Sequence, residues 1–399
     1  MFRQIMQFIH LLPIYWAVSG LFIIHNGDKI LVALIIISLI TKILCSLVKI
    51  DNIKIDNIKI EYNNIIILIL ICTAYATFKY YQNGYSSSEI RVLISTLLYS
   101  SISFPKKIRY KTLILITTIS SIYISYQTIN IIEIKNLSRY ELPLNAIPYA
   151  NFLGLLSLIT LYLSYISKSR ALSAISVFNF ILLSINVVLV DTRGTWLALI
   201  IAYVAIIAII FIRKKSWKIT LISIFLFSTI AILSYPVIES RIDRSMTEIK
   251  QLKEGDLHSS WGIRLQLWII GYNIIEDNKS WLGLGQTAHL KIIDDLLKKK
   301  EVLRALNWFD NKNFHNSIID RTVKYGFIGT FLYFLVLLIP FIHGIRHFRS
   351  NYSPLLLIMP IFIFSAGLSY IPLSHPGTYF LYLFTSIILI NKIKLEKEK

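Results

Sequence analysis

The feature that most constrains this chain is a series of long, unbroken apolar stretches that recur along nearly its whole length. Examples are LVALIIISLI, which begins at Leu31, and LISIFLFSTIAIL, which begins at Leu221. In a soluble domain, apolar residues recur with the period of one buried face of a helix or strand. Here no such polar face interrupts the stretches, and only 16% of the residues are charged. The sequence therefore predicts a polytopic membrane protein.

Twelve of these stretches suit a hydrocarbon core of about 30 Å. The predicted spans are residues 8–25, 30–48, 64–79, 88–104, 112–131, 149–166, 171–190, 194–212, 219–236, 323–342, 355–371 and 377–391. Hydrocarbon offers the backbone no hydrogen-bond partner, so each span is predicted to be an α-helix. The first span is expected to be retained, because no convincing small-residue cleavage site follows it. The predicted fold class is all-α, with about twelve transmembrane helices.

The short loops between spans predict the orientation of the chain. Alternate loops such as PKKIRYK and RKKSWK, together with the tail NKIKLEKEK, hold most of the short-loop lysine and arginine. Short loops rich in these residues face the cytoplasm, so both termini are predicted to be cytoplasmic. The formal net charge of +19 is then mainly a topology signal, and no nucleic-acid partner is expected despite the basic balance.

A long segment without a spanning stretch, residues 237–321, divides the chain. It is nearly neutral, with 13 basic and 12 acidic residues, and the alternation of loops places it on the periplasmic side. The predicted organisation is residues 1–236 with spans one to nine, the periplasmic loop domain, and residues 322–399 with the last three spans and a basic tail. Long loops on a rigid scaffold often carry function.

The loop domain is predicted to be helical. SMTEIKQLKEG suits a helix capped by Ser245, with Glu248 at the reciprocal capping position and Gly255 at its end. IRLQLWIIGYNIIEDN places apolar residues at helical spacing, which predicts an amphipathic helix lying on the membrane or the bundle. This face comprises Leu265, Trp268, Ile269, Tyr272 and Ile275. LKIIDDLLKKKEVLRAL is read as a further helix, and WLGLGQ as a glycine-containing turn.

Two arginines at the predicted outer face are candidates for binding. Arg193 lies in DTRGTW at the outer end of the seventh span, where Asp191 is close enough to pair with it. Arg264 lies in WGIRLQLW and opens the amphipathic helix. From the residues alone, an interfacial anchor explains Arg193 as well as a binding role does. Similarly, a simple surface arginine explains Arg264 as well as a binding role does.

The stretch FHNSIID, which begins at Phe314, gathers polar groups at the start of the tenth span. Asn316 or Ser317 would cap this helix, and Ser317 followed by Asp320 resembles a capping box. Capping leaves His315 unexplained, as well as the nearby cations Arg321 and Lys324. An imidazole exchanges a proton near neutral pH, and guanidinium groups bind phosphate through paired hydrogen bonds. Together these groups suggest chemistry on a phosphorylated lipid.

Other kinds of site find no support in the sequence. His258, His289 and His315 lack the spacing of zinc ligands, and no Asp-x-Asp pair offers a metal-held phosphate site. The sequence also contains no P-loop, so ATP-driven transport is not predicted. We expect neither a metal nor a cofactor.

Three motifs, DTRGT, WGIRLQLW and FHNSIID, occur in that order with a common sidedness, and in this the chain resembles the O-antigen ligase family of Gram-negative inner membranes. The resemblance implies a bundle like that of the lipid-dependent, GT-C type glycosyltransferases. It implies transfer of polysaccharide from undecaprenyl diphosphate to a sugar hydroxyl of the lipid A–core on the periplasmic face. Inversion at the anomeric carbon, without ATP or a divalent metal, is also implied.

Carried over by motif, the resemblance assigns Arg193 and Arg264 to the diphosphate of the donor and His315 to the base that deprotonates the acceptor. Asn316, Arg321 and Lys324 are left as auxiliary candidates. The last outer loop, SYIPLSHPGTY, lacks the acidic residue expected near its start. A homo-oligomer is left open.

Two alternatives remain at this point. An O-antigen polymerase would share the topology, the arginines and the carrier-linked donor, and would differ in its acceptor. A lipid-linked oligosaccharide flippase or transporter would also have many spans. Such transporters place charged residues at mid-membrane, where Lys42 is the main candidate, and the large outer loop has no rationale in transport.

Overall fold

The computed structural model describes residues 2–24, 26–47, 64–105, 108–142, 144–215, 217–278, 280–303, 306 and 313–397. Within these ranges the chain is helical and contains no strand. The segment KIDNIKIDNIKIEY, residues 49–62, for which the sequence predicts a solvated cytoplasmic loop, lies outside the described residues.

The described residues form sixteen α-helices. They are α1 Phe2–Ala17, α2 Gly20–Ile23, α3 Gly27–Leu47, α4 Asn64–Asn83, α5 Ser87–Leu98, α6 Tyr110–Ile129, α7 Ala146–Ile166, α8 Arg170–Leu189, α9 Arg193–Lys214, α10 Trp217–Leu233, α11 Tyr235–Lys253, α12 Ser260–Asn278, α13 Ala288–Lys298, α14 Ser317–Arg346, α15 Ser353–Gly367 and α16 Pro376–Lys397. A helix lies at each predicted span. Seven segments, which contain α4, α6 to α9, α14 and α16, are long and apolar enough to cross a membrane. The chain is thus a multi-pass membrane protein.

Helix α7 lies at the centre of the bundle, and most of its side chains are buried. It approaches α15 closely at Gly154, where an added Cβ would lie 2.7 Å from the ring of Phe362. Polar contacts join α7 to its neighbours: the Tyr203 hydroxyl of α9 lies 3.2 Å from Ser157 Oγ and 2.9 Å from Ser184 Oγ of α8. Small residues and shared hydroxyls are the usual means of helix association in lipid.

The first predicted span is broken in the structure. Helix α1 ends at Ala17, and α2 begins at Gly20 after a turn. The indole of Trp16 lies against Gly20, so that a Cβ there would be 2.5 Å from the ring. The same indole donates a hydrogen bond to the Gly27 carbonyl oxygen at 2.9 Å. The prediction of one continuous helix over residues 8–25 was therefore wrong. The structure has two helices there, and the contacts of Trp16 stabilise the turn between them.

Helix α11 begins ten residues earlier than predicted. It starts at Tyr235, directly after α10, with Pro236 in its first turn, where a missing N–H carries no penalty. The predicted cap Ser245 is inside the helix and donates to the Arg241 carbonyl oxygen. The predicted end was right, because Gly255 follows the last turn with φ of +84°, the left-handed conformation that glycine favours after a helix.

Helix α12 was predicted correctly as an element, but the predicted apolar face is not the buried one. Ile269 and Tyr272 are exposed. Instead Ile263, Leu267 and Ile270 join Phe314 in a second hydrophobic cluster, which is separate from the main core of the bundle. The next predicted helix is shorter than expected. Helix α13 ends at Lys298, whereas the sequence pattern extended to residue 306.

The predicted glycine turn packs into a break in α14. Gly326 has φ of +67° and interrupts this helix. The carbonyl oxygens of Val323 and Lys324 accept hydrogen bonds from the amides of Leu284 and Gly285, both at 2.8 Å. A broken helix is tolerated at membrane depth only where other protein groups satisfy its backbone. The loop segment 281–285 is therefore an integral part of the bundle.

Candidate functional site

Arg193 begins α9 and is held by α11. Its Nη1 donates to Ser245 Oγ at 2.9 Å, and its Nη2 lies 2.8 Å and 2.9 Å from the two carboxylate oxygens of Glu248. Both side chains of this ion pair are 18% exposed. Asp191 was expected to be the partner of Arg193, and it pairs instead with Arg241, at 3.0 Å from Nε to Oδ1.

The face of α11 that meets the turn before α9 was missed by the sequence analysis. Arg241, Arg244, Ser245 and Glu248 recur at the spacing of one helical face. Burial raises the pKa of the Asp191 carboxyl, and the charges of Arg241 and other arginines offset part of this effect. Burial also lowers the pKa of Arg241. The periodic spacing of these polar residues, in a helix that begins at Tyr235, is the sequence signal of this shared polar face.

Arg264 lies on the first turns of α12, and its side chain is largely enclosed. Burial, and next the positive charge of Arg193, lower the pKa of Arg264 to about 10. Its Nε is buried with no hydrogen-bond acceptor among the described residues. The same holds for Nε1 of Trp268, one turn further along α12. A buried donor without an acceptor is costly, so this face of α12 is suited to an anionic or oxygen-rich ligand.

His315 is 3% exposed and immediately precedes α14. Its φ of +51° is left-handed, a conformation that few residues adopt. Asn316 caps the helix as predicted, with Oδ1 accepting from the amides of Ile318 and Ile319 at 2.9 Å and 3.2 Å. Ser317 is not the cap, since its hydroxyl donates to the Tyr370 carbonyl oxygen at 3.0 Å.

The segment that follows α15 connects the His315 and Arg193 regions. The Asn316 amide donates to the Leu368 carbonyl oxygen at 3.3 Å, and the His315 ring centroid is 5.6 Å from that of Tyr370. Ser369, which lies between Leu368 and Tyr370 in the sequence, packs directly against Gly194. The last outer loop thus packs against both motifs, although it lacks the acidic residue that the resemblance suggested.

Helix α12 completes the convergence of the three motifs. Gly271 of α12 lies against Phe314, at 2.9 Å from an added Cβ to the ring, and also against Ile319. Helix α11, whose Glu248 pairs with Arg193, packs against α12, the helix that contains Arg264. DTRGT, WGIRLQLW and FHNSIID are therefore packed together at one end of the bundle, as their order in the sequence suggested.

The auxiliary cations are compensated by acidic residues inside the protein. Arg321 Nη2 lies 2.9 Å from Glu89 Oε2 on α5, and its Nη1 donates to the Tyr85 hydroxyl at 3.3 Å. Lys324 Nζ lies 2.8 Å from Asp320. Glu89 was missed by the sequence analysis, which placed it inside the predicted span 88–104 and gave it no role. These contacts explain both cations as buried ion pairs of the bundle.

The fold and the site define a multi-pass helical membrane protein with a cluster of arginines and a buried histidine at one end of its bundle. Residues 178–334 match the model of a family described as O-antigen ligase. This match covers the three motifs and confirms the resemblance to the O-antigen ligase family that they indicated. The match includes Arg193, Arg264 and His315. No curated protein matches the chain.

Proposed function

We propose that the protein is an O-antigen ligase of the Gram-negative inner membrane. It transfers a polysaccharide from undecaprenyl diphosphate to a sugar hydroxyl of the lipid A–core on the periplasmic face. The family match supports this class of function. The observation that carries the proposal is the face of α12, where Arg264 Nε and Trp268 Nε1 are buried donors without acceptors in the described structure. A phosphate oxygen is the acceptor that this pair of donors lacks.

Arg193 and Arg264 bind the diphosphate in the proposed reaction. As the bond between the anomeric carbon and the diphosphate oxygen breaks, negative charge grows on that oxygen. Fixed donors in an enclosed site stabilise this charge, and the loss of one such donor typically lowers the rate by about 100- to 1,000-fold. Arg193 Nη2 donates to Glu248 Oε1 at 2.8 Å. The donor diphosphate therefore replaces this carboxylate when it binds.

His315 is the proposed base. It removes the proton of the acceptor hydroxyl, whose oxygen then attacks the anomeric carbon from the side opposite the diphosphate. A single displacement of this kind inverts the configuration at that carbon. The scaffold suits the role, because capping by Asn316 and the hydrogen bond from Ser317 to Tyr370 hold the backbone that directly follows His315. In the proposed architecture, about twelve spans form a GT-C-like bundle with residues 237–321 as its periplasmic domain.

The proposed function is tested with two purified lipids. The protein in detergent or vesicles is mixed with carrier-linked polysaccharide and rough lipopolysaccharide, without ATP, and the products are resolved by gel electrophoresis. The expected result is a ladder of polysaccharide-bearing lipopolysaccharide. Failure of the wild-type protein to form this product, with both lipids shown to be intact and the protein folded, would contradict the proposal.

A deletion strain distinguishes the ligase from a polymerase with the same donor. Loss of the ligase leaves long polymer on the carrier and rough lipopolysaccharide, whereas loss of a polymerase leaves cores that carry a single repeat. The first phenotype is expected. A third outcome, in which carrier-linked repeats accumulate on the cytoplasmic side, would indicate a flippase.

A further inference from the structure

A cleft with a volume of about 560 Å³ lies beside α11. Arg139, Arg241 and Arg244 contribute to its wall, together with Asp191. The described residues that line it do not include either of the donor-binding arginines or the proposed base. The function proposed above therefore leaves this cleft without a role.

The lining of the cleft is amphipathic. Its apolar residues come from the places where membrane helices end: Ile132 follows α6, Leu189 ends α8, and Pro236 and Val237 open α11. The arginines of α11 follow one to two turns further along that helix. This arrangement places apolar surface next to the ends of the membrane helices and cationic groups beyond it, which suits a lipid with an anionic head.

The guanidinium groups of the cleft outnumber its acids. The wall contains three arginines, and the carboxylates of Asp191 and Glu133. Arg244 is the most exposed of these arginines: its side chain is 59% exposed, and its Nη1 lies 3.7 Å from Asp191 Oδ2. Its Nε and Nη2 donate to the carbonyl oxygen and the hydroxyl of Ser240, both at 3.3 Å. A guanidinium in this position is able to turn toward a phosphate and bind it through two parallel hydrogen bonds.

We propose that this cleft binds the phosphate-bearing headgroup of a second lipid substrate, the acceptor. The inference rests on the proposed function, because transfer between two lipids requires two headgroup sites at the same membrane face. Asp191 and Arg193 are two positions apart in one turn, so the headgroup in the cleft would lie beside the donor diphosphate. The turn between α8 and α9 thus separates the two substrates and aligns them.

Lipid binding to the full-length protein in detergent tests this assignment separately from catalysis. The probes are undecaprenyl diphosphate, phosphorylated rough lipopolysaccharide and the same lipopolysaccharide after removal of its phosphates. The variants are Arg244→Gln and Arg241→Gln/Arg244→Gln. Lys250→Gln is the matched control, since it removes a cation of α11 that lies 4.0 Å from Glu254 and outside the cleft lining.

For the phosphorylated lipopolysaccharide, we expect the double variant to raise the Kd about tenfold or more, which corresponds to the loss of a charged hydrogen bond. The Kd for undecaprenyl diphosphate should remain within roughly twofold of wild type, and Lys250→Gln should change neither value. Removal of the phosphates should weaken binding to wild type and abolish the difference between wild type and the double variant.

If the double variant misfolds, the single variant Arg244→Gln still tests the inference, because the exposed side chain of Arg244 is not part of a packed core. Wild-type binding of phosphorylated lipopolysaccharide by both variants would overturn the inference. A selective loss of undecaprenyl diphosphate binding would overturn it too, by assigning the cleft to the donor. If wild type binds both lipids and transfers nothing, the proposed function fails while the cleft assignment stands.

Discussion

The left-handed backbone at His315 determines which substitution best tests its role. Alanine in this conformation is strained by about 1–2 kcal/mol, whereas asparagine adopts it readily and cannot act as a general base. We expect His315→Asn to lower the transfer rate by about 100- to 10,000-fold, with wild-type amounts in the membrane and an unchanged melting temperature. Transfer is measured under single-turnover conditions with both lipids saturating.

The control for His315 is His258→Asn, since His258 is exposed in the same segment of the chain. It should leave transfer unchanged. If His315→Asn retained near-normal activity while His258→Asn did too, the assignment of the base would be wrong.

Arg264 supplies a planar group whose buried Nε has no acceptor among the described residues. Lysine preserves the charge but places a single point donor at the end of a flexible chain. We therefore expect Arg264→Lys to lose most transfer activity, about 100-fold, with the change mainly in kcat. Lys253→Arg, an exposed exchange on α11, serves as the control. Full activity of Arg264→Lys would indicate that only a positive charge, and not the planar guanidinium, is needed at this position.

The contact between α11 and the turn before α9 depends on ion pairs, since none of the side chains of α11 is buried. Glu248 forms an ion pair with Arg193, so under the proposed mechanism we expect it to compete with the donor. Glu248→Gln should lower the KM for carrier-linked donor about two- to fivefold and increase hydrogen exchange along α11. Glu254→Gln, at the exposed end of the same helix, should do neither. A raised donor KM in Glu248→Gln would show that this carboxylate helps binding.

The break in α14 and the glycine turn form one structural unit. A Cβ at Gly326 would overlap the Trp281 carbonyl oxygen, and the residue has a left-handed φ of +67°. Gly326→Ala should therefore destabilise the protein by about 3 kcal/mol or more, seen as a lower melting temperature in detergent. Gly255→Ala is the matched control. It has φ of +84° with no atom within 4 Å of an added Cβ, and only backbone strain of about 1 kcal/mol is expected. Equal losses in both variants would argue against the docking contact.

How much of these elements the sequence could predict depends on the range of the interactions that form them. The helices at the predicted spans follow from local apolar runs, and the Asn316 cap follows from a short motif. The partner of Arg193 and the buried face of α12 depend on packing between segments far apart in the chain. Periodicity could show which residues share a face, as in the row from Arg241 to Glu248, but it could not show what that face would meet.

Over the whole molecule, the three motifs come from distant parts of the chain and lie at one end of the bundle. The proposed substrates are lipids, and under that proposal this end faces the leaflet in which those lipids present their headgroups. The short loops with most of the lysine and arginine are predicted to be cytoplasmic. The motifs belong to the other set of loops, so their end of the bundle is predicted to be periplasmic. The proposed site therefore depends on the predicted topology: if the motif end faces the cytoplasm, the proposed transfer on the periplasmic face is wrong.

Cysteine labelling tests that hypothesis directly. Both native cysteines, Cys45 and Cys72, are buried, so background labelling by a membrane-impermeant maleimide should be low. In intact spheroplasts, Lys253→Cys on α11 should react within minutes, whereas Lys168→Cys, in the loop SKSR on the opposite side by prediction, should react only after permeabilisation. Both positions are exposed, so a difference in labelling reports sidedness rather than burial. Protection of Lys253→Cys with labelling of Lys168→Cys would place the arginines and His315 in the cytoplasm, where periplasmic transfer to the lipid A–core cannot occur.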